Sequence, residues 1–507
     1  MSIALTRPTT LRALILLFFC FLAYVALHVL SKSLYANDSE KHSTLLFTCE
    51  EKNSAFRYGQ RGSQYVLYNY IKSRQQFKCH ESITLTTHGD TSYLDNLVYL
   101  SQRWQGPISF SVYVPSSDYY DAIKIISYLR QCTVSEIKEF VTFHFVFDNS
   151  HMPKSIIKLH KTQKGLPYFE NQTEILKFHE KNFVKVMGHG DKSENTELPM
   201  ANCSLPASWI IPTKQTYRNK NKLLYPVNIL RNVARESATT YYVFSSDSEL
   251  YPSPNIIPNF FDMLKRNDSY LHFGKPRVFA LPIFEVYKNQ TVPGSKQELV
   301  EMLESGLAIP FHEKICALCH RIPQQKEWQR APVNDGLSVF HVGKRHWPYH
   351  MWEPIFIGTQ DDPVYDERLS WEGRQDKMTQ GYVLCVLDYD FMTLDNAFLV
   401  HRPGVKVKKE DLAIKYFTQN QSAYIRGTIL SELKVLYGSS PNCWLWDEPL
   451  PVAMRDGDFP QRKTGGPVVI PLLRPRISCL DSQREAISRN KSLYVLSVST
   501  SSSSINT

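Results

Sequence analysis

The chain has 507 residues and a net charge of +9 that is spread through the sequence without a long basic run. That distribution excludes nucleic acid as the natural partner, while a mildly basic surface attracts acidic glycans and sugar nucleotides.

Residues 13–30 form an apolar run of eighteen, broken only by His28 and preceded by Arg7 and Arg12. The run is just long enough to cross a thin bilayer as a helix, and no small-residue cleavage site follows it. We read residues 1–12 as a cytoplasmic tail and 13–30 as a retained signal anchor, which places the rest of the chain in a lumenal, oxidising and glycosylating compartment. Seven N-x-S/T acceptors agree with this, at Asn37, Asn171, Asn202, Asn267, Asn289, Asn420 and Asn490. Of the ten cysteines, Cys20 lies in the anchor and nine remain, enough for at most four internal bridges. Cys316 and Cys319 have half the spacing of a zinc site, but no second ligand pair follows, so a local disulfide or bridges to distant cysteines are expected.

Residues 31–80 are polar and weakly patterned and read as a stem. Residues 82–89 read as a strand ending in a glycine loop, 93–100 as a helix, 108–114 as a strand, 122–129 as a helix and 140–147 as a third strand. Strands alternating with helices predict an α/β domain with a largely parallel sheet covered on both faces. A helical segment at 224–237 leads into a buried strand from Tyr241 that ends in Asp247 and Glu249, with Tyr251-Pro252-Ser253-Pro254 directly afterwards, which should break the chain. Carboxylates at the carboxyl end of such a strand suit Mg²⁺ or Mn²⁺ bridged to a diphosphate, whereas the same pair alone could merely open a solvated turn. Residues 276–400, richer in Pro, Trp and His, are expected to build the acceptor side of one catalytic domain over 81–455. The extension 456–507 ends in serines that cannot bury a core.

Several motifs then occur in one order: Thr86-Thr87-His88-Gly89, Trp104-Gln105-Gly106-Pro107, Tyr225-Pro226-Val227-Asn228, Asp247-Ser248-Glu249, Trp352-Glu353-Pro354, Tyr365-Asp366-Glu367-Arg368 and Phe398-Leu399-Val400-His401. From about residue 80 to 410 this set resembles glycosyltransferase family 49. The resemblance implies a GT-A nucleotide-sugar-binding fold, a single-pass type II Golgi anchor, a UDP-sugar donor and Mn²⁺. It implies that Asp247 and Glu249 stand for the family's Asp-x-Asp metal motif, with Glu249 one methylene longer, and that His401 completes the metal site. The implied reaction is inverting transfer of glucuronic acid from UDP-glucuronate to a glycoprotein O-glycan, ending in xylose.

Physical roles follow from that chemistry. A divalent ion stabilises the diphosphate leaving group. Thr87 and His88 should hold the uridine; Asn228 and Arg231, three apart on one helix face, should hold the donor, with Lys406 as a second cation. Asp366 and Glu367 are the candidates for the base that takes the acceptor proton, against an ion pair between Glu367 and Arg368 or another arginine at a helix start. Trp352, Glu353 and Glu285 are the acceptor-side candidates, against a core tryptophan at Trp352. Transfer of another UDP-sugar such as N-acetylglucosamine, or a silent glycan-binding protein, are the competing readings. A partner glycosyltransferase or a second copy of the chain is the expected protein partner.

Overall fold

The computed structural model describes residues 49–154, 198–204, 215–266, 275–407, 412–443 and 445. The expected tail, anchor and carboxyl-terminal extension lie outside the described residues, and so do Asn37, Asn171, Asn267 and Asn490. Among the described residues no helix is long and apolar enough to cross a membrane.

Among the described residues fourteen strands form two sheets: β1 Arg57–Arg61, β2 Gln64–Ile71, β3 Ile83–Asp90, β4 Ile108–Tyr113, β5 Val141–Asp148, β6 Tyr242–Ser245, β7 Leu250–Pro252, β8 Arg277–Leu281, β9 Ile283–Val286, β10 Ala308–Pro310, β11 Ser338–Gly343, β12 Ile355–Thr359, β13 Asp390–Asp395 and β14 Leu399–His401. The main sheet has the order β1-β2-β5-β4-β3-β6-β12-β8-β13-β11, and the smaller one β10-β9-β14-β7. Strands β5, β4, β3 and β6 run parallel, as their alternation with helices predicts, whereas β12 enters antiparallel beside β6. The sheet is therefore mixed, and its second half comes from the residues expected to build the acceptor side.

Side chains alternate across the parallel strands. Phe110, Phe143 and Phe145 pack on one face with Leu97, Trp104, Tyr119 and Phe260 from three helices. Tyr113 and Val146 pack on the other with Val227, Leu230 and Val233 of the Val227–Ser237 helix. A second core, around Phe284, Trp328, Trp352, Phe391 and Phe398, joins the two sheets.

Two boundaries differ from the sequence reading. Strands β1 and β2 lie within the expected stem yet belong to the main sheet, and Cys49 is bridged to Cys79, so the fold starts well before residue 81. After Glu249 the chain does not break: Leu250–Pro252 pairs antiparallel with Leu399–His401, and this extended backbone tolerates Pro252 at its end. The other disulfides are Cys132–Cys203, Cys316–Cys319 and Cys385–Cys443, so the expected local bridge is present.

Candidate active site

The acidic turn sits where the two sheets meet. β3 and β6 pair in parallel with Thr86 opposite Ser245, and the Ser246 amide donates to the Thr86 carbonyl at 3.1 Å. That register brings His88 beside Asp247. On the other side, His401 pairs with Leu250, and the Arg402 amide donates to the Glu249 carbonyl at 2.7 Å. The last residue of β14 thus reaches the turn although it lies far along the chain.

Each carboxylate is braced by basic groups. Oδ1 of Asp247 lies 3.3 Å from Nε2 of His88 and 3.1 Å from Arg231, and its Oδ2 lies 3.1 Å from Nζ of Lys377. Oε1 of Glu249 lies 3.1 Å from Nε2 of His401 and 2.7 Å from Nζ of Lys406. Burial would raise both carboxyl pKa values, but these partners outweigh it. Asp247 is held well below the usual carboxylate range and Glu249 falls to about 2. Burial lowers the pKa of His88, so its imidazole is neutral; Nδ1 lies 2.9 Å from the Tyr225 hydroxyl.

Asp247, Glu249 and His401 offer two carboxylates and an imidazole, a donor set suited to Mn²⁺. Glu249 and His401 already converge, and both ring nitrogens of buried His401 lack a hydrogen-bond partner among the described residues. An orphaned imidazole against an ionised carboxylate fits a cation. The ligand atoms of all three do not gather within 4.8 Å, because Asp247 is turned toward Arg231 and Lys377. Two cysteine-containing clusters, Cys49/Cys79/His80 and His346/Cys385/Cys443, offer no thiolate because their cysteines are disulfide-bonded.

The Val227–Ser237 helix supplies more than Arg231. Asn228, Arg231, Asn232 and Arg235 recur at helical spacing, forming a polar stripe opposite the apolar face, and all four are buried. The stripe holds the segment 359–376. Asn228 Nδ2 donates to the carbonyls of Asp366 and Asp376, both at 2.8 Å, and Asn232 Nδ2 to Tyr365 O and Glu367 Oε1, both at 2.9 Å. Arg235 donates to the carbonyls of Thr359, Asp362 and Pro363, and Arg231 pairs with Asp376. Asn228 and Arg231 do share a face, but the Asn228 amide is spent on two backbone carbonyls and on accepting from Arg231 at 2.9 Å, and only Arg231 reaches the acidic turn.

Other expected residues are placed differently. Thr87 is fully buried in β3, so His88 alone of that pair faces the turn. The Asp366 carboxylate is 2.7 Å from Arg368, and that of Glu367 is 2.6 Å from Arg61. The structure thus realises the ion-pair reading for Glu367, with Arg61 as the arginine, and commits Asp366 to Arg368 as well. Trp352 is a core residue, its ring centroid 5.3 Å from that of Phe391, and it offers no platform for a sugar. Glu285 is fully buried beneath His401, its register partner on the neighbouring parallel strand, and cannot touch an acceptor. Glu353 remains partly open. Asn202, Asn289 and Asn420 are exposed.

Three site residues escape the sequence reading. Lys377 precedes the Met378–Val386 helix; burial lowers its pKa, but Asp247 outweighs this and raises it. His312 and His320 pack on Phe311, with centroid separations of 3.8 and 4.8 Å, and the His401 ring stacks on the same phenyl at 5.6 Å. Burial pushes His312 to about 2 and His320 to about 3, so both rings are neutral. Phe311 follows directly after a three-residue strand too short to show a period, and no spacing in the sequence announces this ring stack.

A mixed α/β sheet whose parallel strands deliver a braced acidic turn to their carboxyl edge is the architecture of a glycosyltransferase domain. Residues 82–438 match the family 49 glycosyltransferase model, described as "Glycosyl-transferase for dystroglycan", and the chain belongs to that family. It is 27% identical to zebrafish (Danio rerio) β-1,4-glucuronyltransferase 1 over 71% of this chain and 75% of the relative. It is 25% identical to the human (Homo sapiens) protein of the same name over 71% of this chain and 77% of the relative. A shorter match, 28% identical over 36% of this chain and 23% of the relative, is to human xylosyl- and glucuronyltransferase LARGE1. The chain is a glycosyltransferase.

Proposed function

We propose that the chain is a type II Golgi enzyme of GT-A fold that transfers glucuronic acid from UDP-glucuronate to a glycoprotein O-glycan, terminal xylose being the acceptor sugar, with inversion to a β-linkage and dependence on Mn²⁺. The observation that carries this reading is the braced acidic turn. Three carboxylates, Asp247, Glu249 and Asp376, contact three cations, Arg231, Lys377 and Lys406, so the paired charges cancel. A bound divalent ion then leaves an excess of two positive charges, which matches an anionic diphosphate.

Asp247, Glu249 and His401 would hold Mn²⁺, which supplies Lewis-acid stabilisation of the departing diphosphate. The protein supplies the rest. Arg231 is fixed by Asp247 and Asp376 and Lys377 by Asp247, and both present positive charge at the strand edge, where negative charge grows on the leaving group. Lys406 covers the other side, and its side chain is 38% exposed, open enough to exchange Glu249 for a phosphate oxygen. His88, neutral and tied to Tyr225, is a hydrogen-bonding group rather than a charge. The names of the relatives support the donor sugar, and four disulfides among the described residues support an oxidising lumenal compartment.

The test is transfer by the purified chain from UDP-glucuronate, UDP-xylose and UDP-N-acetylglucosamine to a β-xyloside, with and without Mn²⁺. Metal-dependent use of UDP-glucuronate is expected. Preference for another donor would keep the chemistry and change the sugar, and no turnover by folded protein would sink the reading.

A further inference from the structure

The carboxylates around the turn differ in how far they are already committed. Asp247, Glu249, Asp366, Glu367 and Asp376 are each within 4.0 Å of an arginine or lysine, and Glu285 is closed off from solvent. Glu353 is the exception. Among the described residues its carboxylate makes no hydrogen bond and no ion pair, and the residue as a whole is half-buried.

Its position is set by the backbone. Glu353 lies two residues before β12, which pairs antiparallel with β6 through Ile357 and Phe244. His320, which touches the Glu353 carbonyl, packs on Phe311, and the His401 ring stacks on the same phenyl, so Glu353 stands on the His401 side of the acidic turn. The Glu353 amide donates to the Cys319 carbonyl at 2.8 Å, its carbonyl lies 3.2 Å from Nδ1 of His320, and Arg345 Nε donates to the Trp352 carbonyl at 2.8 Å. The residue is thus pinned by the turn that the Cys316–Cys319 bridge closes, while its carboxylate is uncommitted.

We propose that Glu353 is the general base of the transfer, a role that rests on the glycosyl-transfer reading above. As the acceptor hydroxyl oxygen attacks the anomeric carbon, its proton passes to the Glu353 carboxylate. The anomeric carbon–oxygen bond to the diphosphate breaks with its electron pair, so UDP leaves, and the proton then returns to solvent. The charged groups facing Glu353 are Lys377 and Asp376 from the segment before the Met378–Val386 helix, Arg231 from the Val227–Ser237 helix, and Arg345. Burial outweighs the attraction of Lys377 and raises the carboxyl pKa to about 7, where a base is both available and strong.

The experiment compares Glu353→Gln with the parent in transfer to a β-xyloside hydroxyl, in UDP binding with Mn²⁺, and in reaction with azide, an acceptor anion that has no proton to lose. Loss of hydroxyl transfer by about 10²- to 10⁴-fold is expected, with UDP affinity and glycosyl azide formation close to those of the parent. Hydroxyl transfer by the variant within about tenfold of an active parent overturns the base assignment, as does equal loss of the azide reaction. A parent that uses no UDP-sugar overturns the transfer reading itself, and the base with it. A measurement free of any variant is the parent's kcat/KM against pH, which should rise through an apparent pKa near 7; a flat profile from about pH 5 to about pH 8 overturns the proposal.

Discussion

His401 Nε2 lies 3.1 Å from Glu249 Oε1 because the three-residue strand that ends in His401 pairs with the strand that begins directly after Glu249. The smaller sheet therefore works as a clip: it brings the carboxyl end of the catalytic domain back to the acidic turn. The ring is fixed by stacking on Phe311, so the imidazole and carboxylate are presented together before any ligand arrives.

This clip makes stability depend on acid. Burial alone would raise the Glu249 pKa, but His401 and Lys406 bring it from 4.5 to about 2. A depressed carboxyl pKa contributes stability above the unfolded value, and that contribution is lost as pH falls from about 4.5 toward about 2. Glu249→Gln should therefore cost roughly 2–3 kcal/mol at neutral pH in metal-free protein, with the difference from the parent closing across that window. Urea unfolding at a series of pH values checks this, and a difference independent of pH would contradict it.

Asp247→Asn removes the carboxylate that neutralises Lys377 and one side of Arg231. Arg231 keeps Asp376, whereas Lys377 has no other ion-pair partner among the described residues. A stability loss of about 3 kcal/mol is expected from the uncompensated buried ammonium. Metal-dependent transfer should fall by at least about 10²-fold in protein that remains folded. Transfer within about tenfold of the parent would remove the acidic turn from the site.

Trp352 separates packing from sugar binding. As a core residue it should tolerate Phe, with acceptor KM within about threefold, while Trp352→Ala should cost about 3–5 kcal/mol through the cavity it leaves. A Phe variant with unchanged melting temperature and a tenfold higher acceptor KM would restore it to the acceptor site.

The ion pairs of Asp366 and Glu367 lead to the opposite expectation from Glu353. Glu367→Gln leaves Arg61 with Glu236 alone and should cost about 1–3 kcal/mol, since Arg61 is largely buried. The folded fraction of either Asp366→Asn or Glu367→Gln should transfer within about tenfold of the parent. A drop of 10³-fold in folded Glu367→Gln would return the base role to that residue.

The parallel strands and the acidic turn were legible because β3, β4 and β5 carry apolar residues at a period of two, and a short apolar run leads straight to Asp247. The local Cys316–Cys319 bridge was legible as one of two options for that spacing. β1 was hidden because its residues Arg57–Arg61 are mostly polar and partly exposed at the sheet edge. The clip was hidden because β7, β10 and β14 have three residues each, too few to show a period. Lys377 gave no local sign, since its role arises only when the polar stripe of Asn228 and Arg231 draws the segment before it against the helix. The same folding makes Asn228 a brace rather than a ligand.

Glu285 is the remaining test of how the site is held. It is fully buried, both carboxylate oxygens lack a hydrogen-bond partner among the described residues, and it pairs in register with His401 on the adjacent parallel strand, so both side chains leave the same face of the small sheet. Burial raises its pKa, and His401 is the first group to oppose that rise. An ionised carboxylate on the same face as His401 would add negative charge beside a cation held there. Glu285→Gln keeps the shape and removes the charge, so it should weaken Mn²⁺ binding by about 10- to 100-fold while the fold persists. Calorimetric titration of Mn²⁺ into parent and variant measures this without any turnover. Unchanged Mn²⁺ affinity with a lowered melting temperature would leave Glu285 a purely structural residue.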